Sequence, residues 1–483
     1  MYRKLEKPVS GFEAFPRTYL RTSDRGEHSP PVQFAGSGDG AAAEGVYDDL
    51  ETAIKLASEA QKQLMSLTLA KRREIIESLR LAGKANAEFL AAATVKETGL
   101  GRCQDKVKKL TLVAEKTPGP EILQPEAFTG DHGLSLLERA PYGVVASITP
   151  VTNPVETVLN NAIGMLAAGN AVVFNAHPSA MNTTNQAISV FNRAIVQAGG
   201  LPNLLTSVKE PTISTAQQLM KHPIINLVVV TGGMAVVRAA LGSGKKVIAA
   251  GPGNPPVIVD ETADLEKAAA DIVSGASFDN NIICICEKEL IVVDKVADNL
   301  KAYLKKHGGY EAGKWLTKRL ENLLLTENNG PGRAGVPNKA YIGKDAHVIL
   351  GEVGCEASSD LRLIFMEVDP DHPFVWSELM MPVMPLVRVK DADAAIALAV
   401  RAEQRFGHSA VMHSLNLAKL SEMARLVNTA IFTKNGPSYA GLGFGGEGYT
   451  SFTIATTTGE GLTNARHFTR ERRCALVDHF RII

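Results

Sequence analysis

The chain has 483 residues, 45% of them hydrophobic and 21% charged, which is typical of a soluble globular protein with two or three domains. Lysine plus arginine and aspartate plus glutamate both number 51, so the charge balance gives no reason to expect nucleic acid or an anionic membrane as a partner. Five scattered cysteines favour a reducing cytoplasm over a disulfide framework, and no apolar stretch approaches the roughly 20 residues that span a bilayer.

Residues 1–44 are predicted to form an N-terminal extension that ends in a flexible linker. Pro8 and Pro16 interrupt any long helix near the start, and small residues fill positions 35–43. Helical periodicity begins near Tyr47, and a second helical region is predicted over residues 70–98.

Apolar runs alternate with helical segments from Tyr142 onwards. This alternation predicts the α/β class, with a parallel sheet covered by helices on both faces. The predicted strands lie at 143–148, 171–174, 227–230 and 247–249, with helices near 155–168, 181–198 and 233–241. The pattern resumes with a helix over 390–404 and a strand over 410–412.

Cys284 lies in a loop, residues 277–288, between a helical stretch and the apolar run 290–293. A thiolate is strongly nucleophilic, which makes Cys284 a candidate for covalent carbonyl chemistry, while a buried structural cysteine is the alternative. The pair Cys284 and Cys286 does not supply four metal ligands, so no metal site is expected.

Three turns carry further candidates. Asn153 stands at the start of a predicted helix, where its amide could donate to an oxyanion or act as a helix cap. The turn Thr231-Gly232-Gly233 lets the backbone approach a phosphate closely, or is a simple turn. Glu378 could accept hydrogen bonds from ribose hydroxyls, or be a surface acid.

A glycine-rich segment, residues 441–446, has the letters of a dinucleotide-binding motif. Such a motif follows a strand and opens a helix, whereas residues 449–454 are predicted to be a strand. We therefore interpret the segment as a loop.

Together these residues resemble the aldehyde dehydrogenase superfamily from about residue 45 to the C-terminal end. Within it the chain is similar to the coenzyme-A-acylating propionaldehyde and acetaldehyde dehydrogenases of bacterial microcompartments, on the segments 250–256, 278–281, 434–438 and 445–448. The resemblance implies that Cys284 is the nucleophile and Asn153 an oxyanion donor. It also implies cofactor contacts from Thr149, Pro150, His177, Thr231, Gly232, Gly233, Gly251, Glu378 and Pro382.

One departure from the wider superfamily bears on the chemistry. Hydrolytic members carry a water-activating glutamate where this chain has Ala249. Water has a pKa of about 15.7 and needs a base, whereas a thiol near 8.5 is already partly ionised. The substitution therefore favours coenzyme A over water as the acyl acceptor. A free-acid-forming enzyme and an inactive structural relative remain as alternatives.

The resemblance implies three structural parts and an activity. It implies a doubly wound Rossmann-like domain for NAD and coenzyme A at residues 45–123 and 142–257. It implies an α/β catalytic domain at residues 258–465, and a β oligomerisation element at residues 124–141 and 466–483. The implied reaction is oxidation of a short-chain aldehyde by NAD and coenzyme A to acyl-CoA through a cysteine thioester. His408 is a further candidate, for assisting the coenzyme A thiol, or an ordinary buried histidine.

The implied partners follow from the same resemblance. They are the aldehyde, coenzyme A, further copies of the chain in a dimer or tetramer, and a microcompartment shell protein contacted by the extension 1–44. A cytoplasmic protein enclosed in a bacterial microcompartment is expected, without nucleic acid or membrane partners.

Overall fold

The computed structural model describes residues 44–482. The predicted extension and linker, residues 1–44, lie outside the described residues apart from Glu44. None of the helices within 44–482 is long and apolar enough to cross a membrane.

A six-stranded parallel sheet forms the first half of the described chain. Its strands carry β-branched and other apolar side chains on both faces and are buried throughout in the middle of the sheet, because helices cover both sides. The order across the sheet is Val46–Tyr47, Leu205–Val208, Ala171–Asn175, Val144–Ile148, Ile225–Thr231 and Lys246–Ala250.

A seven-stranded parallel sheet forms the second half. Its order is Gly309–Glu311, Leu363–Glu367, Val383–Val389, Glu289–Val293, Pro256–Val259, Ser409–His413 and Ile431–Lys434. The chain passes from the first sheet to the second between Ala250 and Pro256. The expected domain boundary, between residues 257 and 258, falls inside the strand Pro256–Val259. The division into a cofactor and a catalytic domain stays a prediction.

A three-stranded antiparallel sheet joins distant parts of the chain. Gly133–Pro141 pairs with Glu126–Gly130 on one side and with Thr469–Val477 on the other. The two outer strands are almost entirely exposed. The segments expected to form an oligomerisation element thus share one exposed sheet.

Helices connect and cover the parallel strands. They are Leu50–Leu64, Leu69–Ala85, Ala87–Thr98, Cys103–Lys116, Pro154–Ala167, Met181–Gln197, Ile213–Lys221, Met234–Leu241, Leu265–Ala276, Asp294–Lys306, Lys314–Leu324, Ala346–Glu352, Pro373–Trp376, Ala392–Ala402 and Leu417–Val427. Short 3-10 turns lie at Pro120–Ile122, Pro178–Ala180, Phe278–Asn281 and Ser438–Leu442, and short antiparallel pairs are Leu325–Glu327 with Val336–Pro337 and Ile454–Ala455 with Gly461–Leu462. The predicted α/β alternation is confirmed.

The strand predicted at 449–454 is wrong, because only Ile454–Ala455 is a strand there. The hydroxyl of Ser451 donates to the Thr453 carbonyl at 3.1 Å and accepts from the Thr453 N–H at 3.3 Å. Short hydroxyl side chains that bond the local backbone compete with strand pairing.

Candidate active site

The candidate site lies where the ends of the two parallel sheets meet. In the first sheet, the strands that follow Val144–Ile148 in the chain are added on one side of it, until Ile225–Thr231 is added on the other side. The place between Val144–Ile148 and Ile225–Thr231 is therefore a topological switch point. Ligands of open α/β sheets bind at the carboxyl ends of strands at such a point. The predicted turns 149–153 and 231–233 both leave the sheet there.

The cysteine loop adopts an unusual backbone that its residue types permit. Asp279, Asn280 and Asn281 have φ of 47°, 53° and 67°, in the left-handed region that Asn and Asp tolerate better than other non-glycine residues. The Asn280 amide donates to Gly343 O at 2.9 Å, and the Asn281 amide donates to the carbonyls of Ala276 and Glu287. These bonds hold the loop before Cys284 in one shape.

Cys284 is half-buried against an apolar cluster. The cluster comprises Leu112, Phe278, Ile283, Ile285, Cys286, Ile431, Leu442 and Ile454, with Tyr439, Phe444 and Leu462 packed at its edge. Burial, followed by the charge of Glu378, raises the pKa of the Cys284 thiol to about 12, although Lys288 opposes the shift. The resting side chain is therefore a neutral thiol packed against apolar side chains.

Cys286 differs from Cys284 in its surroundings. It is fully buried, with Sγ 3.8 Å from Phe278 O. Burial raises the pKa of this thiol as well. Cys286 is a core residue of the loop.

Asn153 reaches from the first sheet to the cysteine loop. It precedes the helix Pro154–Ala167 but makes no side-chain cap hydrogen bond. Its Nδ2 donates to Ile282 O at 3.4 Å and to Thr152 Oγ1 at 3.2 Å, and its Oδ1 accepts from Lys109 Nζ at 2.5 Å. The side chain is therefore committed to the loop that carries Cys284, and the helix-cap alternative does not describe it.

A buried ion network lies beneath Asn153. Lys106 and Lys109 are each 1% exposed, and both ammonium groups contact Asp279 Oδ2. Lys109 also lies 3.4 Å from Glu156 Oε1. Asp279 thus joins the cysteine loop to the helix Cys103–Lys116 by charge-assisted bonds, which are stronger than neutral ones.

Glu378 approaches the site from the amino end of the strand Val383–Val389. It is half-buried, and burial raises its pKa to about 7, against the opposing effects of Lys288 and the Gly253 N–H. Because its charge raises the pKa of Cys284, the two side chains belong to one electrostatic unit. Glu378 is therefore not a fully solvated surface acid. Its contact with a cofactor stays a prediction.

Two of the predicted cofactor turns are suited to a nucleotide. Thr149 Oγ1 is buried and has no hydrogen-bond partner within 44–482, so it retains bonding capacity. Gly233 caps the start of the helix Met234–Leu241, and the space where a Cβ would stand on it is open. Gly232 precedes it, and a Cβ there would lie 2.9 Å from the Val236 side chain. Pro150 is half-buried and follows Thr149 in the turn that leads to Asn153.

The other predicted cofactor residues have structural contacts of their own. A Cβ at Gly251 would lie 2.6 Å from Thr457 Oγ1, so close packing alone requires glycine there. His177 is exposed and accepts the Ser179 N–H at 3.1 Å, capping a 3-10 turn. Pro382 is buried, and its carbonyl accepts from Ile364 N at 2.9 Å in the second sheet.

His408 is fully buried beside Gly253. Its Nδ1 lies 3.1 Å from Ser409 Oγ, and its Nε2 has no partner within the described residues. Burial, followed by the charge of Lys288, lowers its pKa to about 3. The imidazole is therefore neutral at physiological pH.

The sequence matches the model of the aldehyde dehydrogenase family over residues 35–315 and 346–468, more than half of the chain. The chain belongs to the aldehyde dehydrogenase family. It is 50% identical over 440 residues to the acetaldehyde dehydrogenase (acetylating) EutE of Escherichia coli, covering 91% of this chain and 94% of that protein.

Solved structures of family members superpose on nearly the whole chain. The propionaldehyde dehydrogenase of Rhodopseudomonas palustris with bound CoA and an acylated cysteine has a TM-score of 0.87 and 45% identity, covering 90% of this chain and 98% of that one. A propionaldehyde dehydrogenase from the Clostridium phytofermentans fucose utilisation bacterial microcompartment has a TM-score of 0.88 and 46% identity, covering 91% and 100%. The predicted family and its fold are confirmed.

Sequence reasoning missed the buried lysines that lie behind and beside the site. Lys106, Lys109 and Lys288 are nearly fully buried, while lysine ordinarily lies at the surface. One available signal was the i, i+3 spacing of Lys106 and Lys109, which places both on one helix face. The lysine-bearing face of the helix Cys103–Lys116 is buried against Asp279, which lies 170 residues after Lys109 in the sequence. The spacing of the lysines alone does not reveal that contact.

Proposed function

We propose that this aldehyde dehydrogenase oxidises a short-chain aldehyde of the acetaldehyde or propionaldehyde class, with NAD and coenzyme A, to acyl-CoA and NADH. The observation that carries the proposal is the approach of the Asn153 amide to the Cys284 loop across the crevice, with Ala249 where hydrolytic members have a glutamate. The names of the two propionaldehyde dehydrogenases and of EutE support the substrate class.

In the first half-reaction, Sγ of Cys284 attacks the aldehyde carbonyl carbon, and the thiol proton passes to solvent. The resulting oxyanion would be held by the Cys284 backbone N–H and by Asn153 Nδ2, donors of the kind that stabilise such charge. Asn153 Nδ2 would exchange one of its two present bonds, to Ile282 O or to Thr152 Oγ1, for the oxyanion. NAD, when bound, accepts the hydride that leaves the former aldehyde carbon. Cys284 is then left as an acyl thioester in its apolar pocket.

In the second half-reaction, the thiol of coenzyme A would attack the thioester, and Cys284 Sγ would leave as a thiolate that takes up the proton of the attacking thiol. Ala249 is fully buried, with its N–H donated to Thr458 Oγ1 at 2.9 Å, so this position offers no base for water. A thiol needs less activation than water, which favours transfer to coenzyme A over hydrolysis. The bound CoA and acylated cysteine of the R. palustris enzyme support this step.

The nucleotide-binding roles belong to the same proposal. Thr149, Pro150 and the turn 231–233 would hold NAD at the switch point, and Glu378 would accept from ribose hydroxyls. The spare Thr149 hydroxyl and the open helix start at Gly233 support these roles. His177, Gly251 and Pro382 would line the site through their backbone and shape, since their described contacts are structural.

We further propose that the exposed outer strands of the antiparallel sheet pair with another copy of the chain. Thr469–Val477 and Glu126–Gly130 both present unpaired edges within residues 44–482, and such edges are ordinarily covered. The likeness to an enzyme from a bacterial microcompartment supports the proposal that this protein is enclosed in such a compartment. In this proposal the extension 1–44 would contact the shell.

The experiment that tests the activity is a coenzyme-A-dependent NADH assay with C2 to C6 aldehydes and mass identification of the product. Acyl-CoA is expected, and Cys284→Ser is the inactive control. Rapid formation of free acid without coenzyme A would favour the hydrolytic alternative. Absence of any turnover would favour the inactive structural relative.

A further inference from the structure

We propose that Lys109 is a positioning residue for the oxyanion site: it fixes the Asn153 amide with the nitrogen towards the Cys284 loop. The inference rests on the proposed function, because it takes Asn153 as the oxyanion donor. Lys109 itself lies behind Asn153 and is assigned no contact with substrate.

The orientation of the amide follows from donor chemistry. A lysine ammonium has three N–H donors and no acceptor. Lys109 Nζ donates to Asn153 Oδ1 and to Asp279 Oδ2 and forms an ion pair with Glu156 at 3.4 Å. The Asn153 atom that faces it must be Oδ1, and the planar amide then directs Nδ2 to the opposite side, towards Ile282 O.

Without Lys109 the same surroundings would favour the opposite orientation. Asp279 and Glu156 are carboxylates that accept and do not donate, and both are buried behind Asn153. They would attract the amide NH2, which would leave Oδ1 facing the cysteine loop. An oxygen lone pair there repels a developing oxyanion, so removing Lys109 should lower turnover about as much as removing the amide itself.

Lys109 keeps its charge in this buried place. Burial lowers its pKa, but Asp279 and Glu156 outweigh burial, and the net shift is upward. The ammonium is therefore present throughout the physiological pH range.

Lys106 provides a matched control within the same network. It is equally buried and contacts Asp279 Oδ2 at 3.0 Å and Thr152 O at 3.2 Å. Its described hydrogen bonds do not include the Asn153 side chain. Lys106→Met therefore removes a buried cation from the network and leaves the contact between Lys109 and the amide.

The test compares kcat and KM for acyl-CoA formation in the full chain and in Lys109→Met, Lys106→Met, Asn153→Ala and the double variant Lys109→Met/Asn153→Ala. Loss of an oxyanion donor lowers kcat by about 10²–10³-fold, and Lys109→Met should fall in that range with KM for coenzyme A unchanged. Lys106→Met should lose less than about tenfold. Because the two residues act through one hydrogen bond, the double variant should be within about threefold of Asn153→Ala.

Additive losses in the double variant, or equal losses in Lys106→Met and Lys109→Met, would overturn the inference. Circular dichroism and thermal unfolding are measured first. If Lys109→Met does not fold, Lys109→Met/Glu156→Gln removes one cation and one anion together, and Glu156→Gln alone is its control. Failure of the proposed function is distinguishable, because the unmodified protein would then make no acyl-CoA.

Discussion

Glu287 accepts two hydrogen bonds from Ser438, one from the backbone N–H at 2.8 Å and one from the hydroxyl at 2.7 Å. The contact joins the end of the cysteine loop to the turn Ser438–Leu442, whose Leu442 packs in the apolar cluster around Cys284. The carboxyl group is fully buried, and it lies so close to Gly275 that a Cβ there would be 2.4 Å from either oxygen. The packing of the apolar cluster around Cys284 therefore depends on a buried acid.

This contact predicts a pH dependence of stability. Burial raises the pKa of Glu287 from 4.5 to about 7, against the opposing bonds from Ser438. Because the pKa of Glu287 is higher in the folded than in the unfolded protein, its protonated form stabilises the folded state, fully so below pH 4.5. This stabilisation is lost as the pH rises from 4.5 to about 7. Between pH 4.5 and 7 the free energy of unfolding of the unmodified protein should fall relative to Glu287→Gln, by on the order of 3 kcal/mol. Urea unfolding at several pH values measures the free energy of unfolding of both proteins. The same change with pH in the unmodified protein and in Glu287→Gln would contradict the prediction.

Cys284→Ser should abolish NADH formation, because a serine hydroxyl cannot form the thioester and is a much weaker nucleophile than a thiol. Cys286→Ala should retain most of the activity, since the buried thiol packs within the apolar cluster and its described hydrogen bond is to the Phe278 carbonyl. Steady-state assays with propionaldehyde measure both variants. An inactive Cys286→Ala together with an active Cys284→Ser would reverse the assignment.

Asn153→Ala should lower kcat by about 10²–10³-fold, the loss expected for one oxyanion donor. A helix cap would instead affect stability, by about 1 kcal/mol, and would leave the chemistry intact. Turnover and thermal unfolding are compared for the same preparation. A loss of turnover below about fivefold would exclude the oxyanion role.

Alkylation of Cys284 by iodoacetamide should be slow at pH 7 in the free protein and rise about tenfold for each pH unit, because only the thiolate reacts and the pKa is about 12. The exposed Cys103 and Cys474 should therefore be modified first. Glu378→Gln removes a negative charge that raises this pKa, so it should speed alkylation of Cys284. Peptide mass spectrometry follows each site, and an unchanged rate in Glu378→Gln would show that the charge does not reach the thiol.

The sequence alone determined the α/β class, most of the strands of the first sheet, and the two loops that carry Cys284 and Asn153. These features depend on apolar periodicity and on residue types over a few neighbouring positions, which a single chain displays directly. The acylating chemistry also followed from one local substitution, Ala249, once the family resemblance was recognised.

Only the tertiary structure decided how those loops meet. It showed that Asn153 does not cap its helix, that Pro382 and His177 have structural contacts, and that Lys109 is buried against Asp279. A buried ion pair forms when folding excludes water from two charges that are far apart in sequence, and it is stable only if each finds its partner. Residues 109 and 279 lie on different elements, so local periodicity, which would place any lysine at the surface, held no information about their contact.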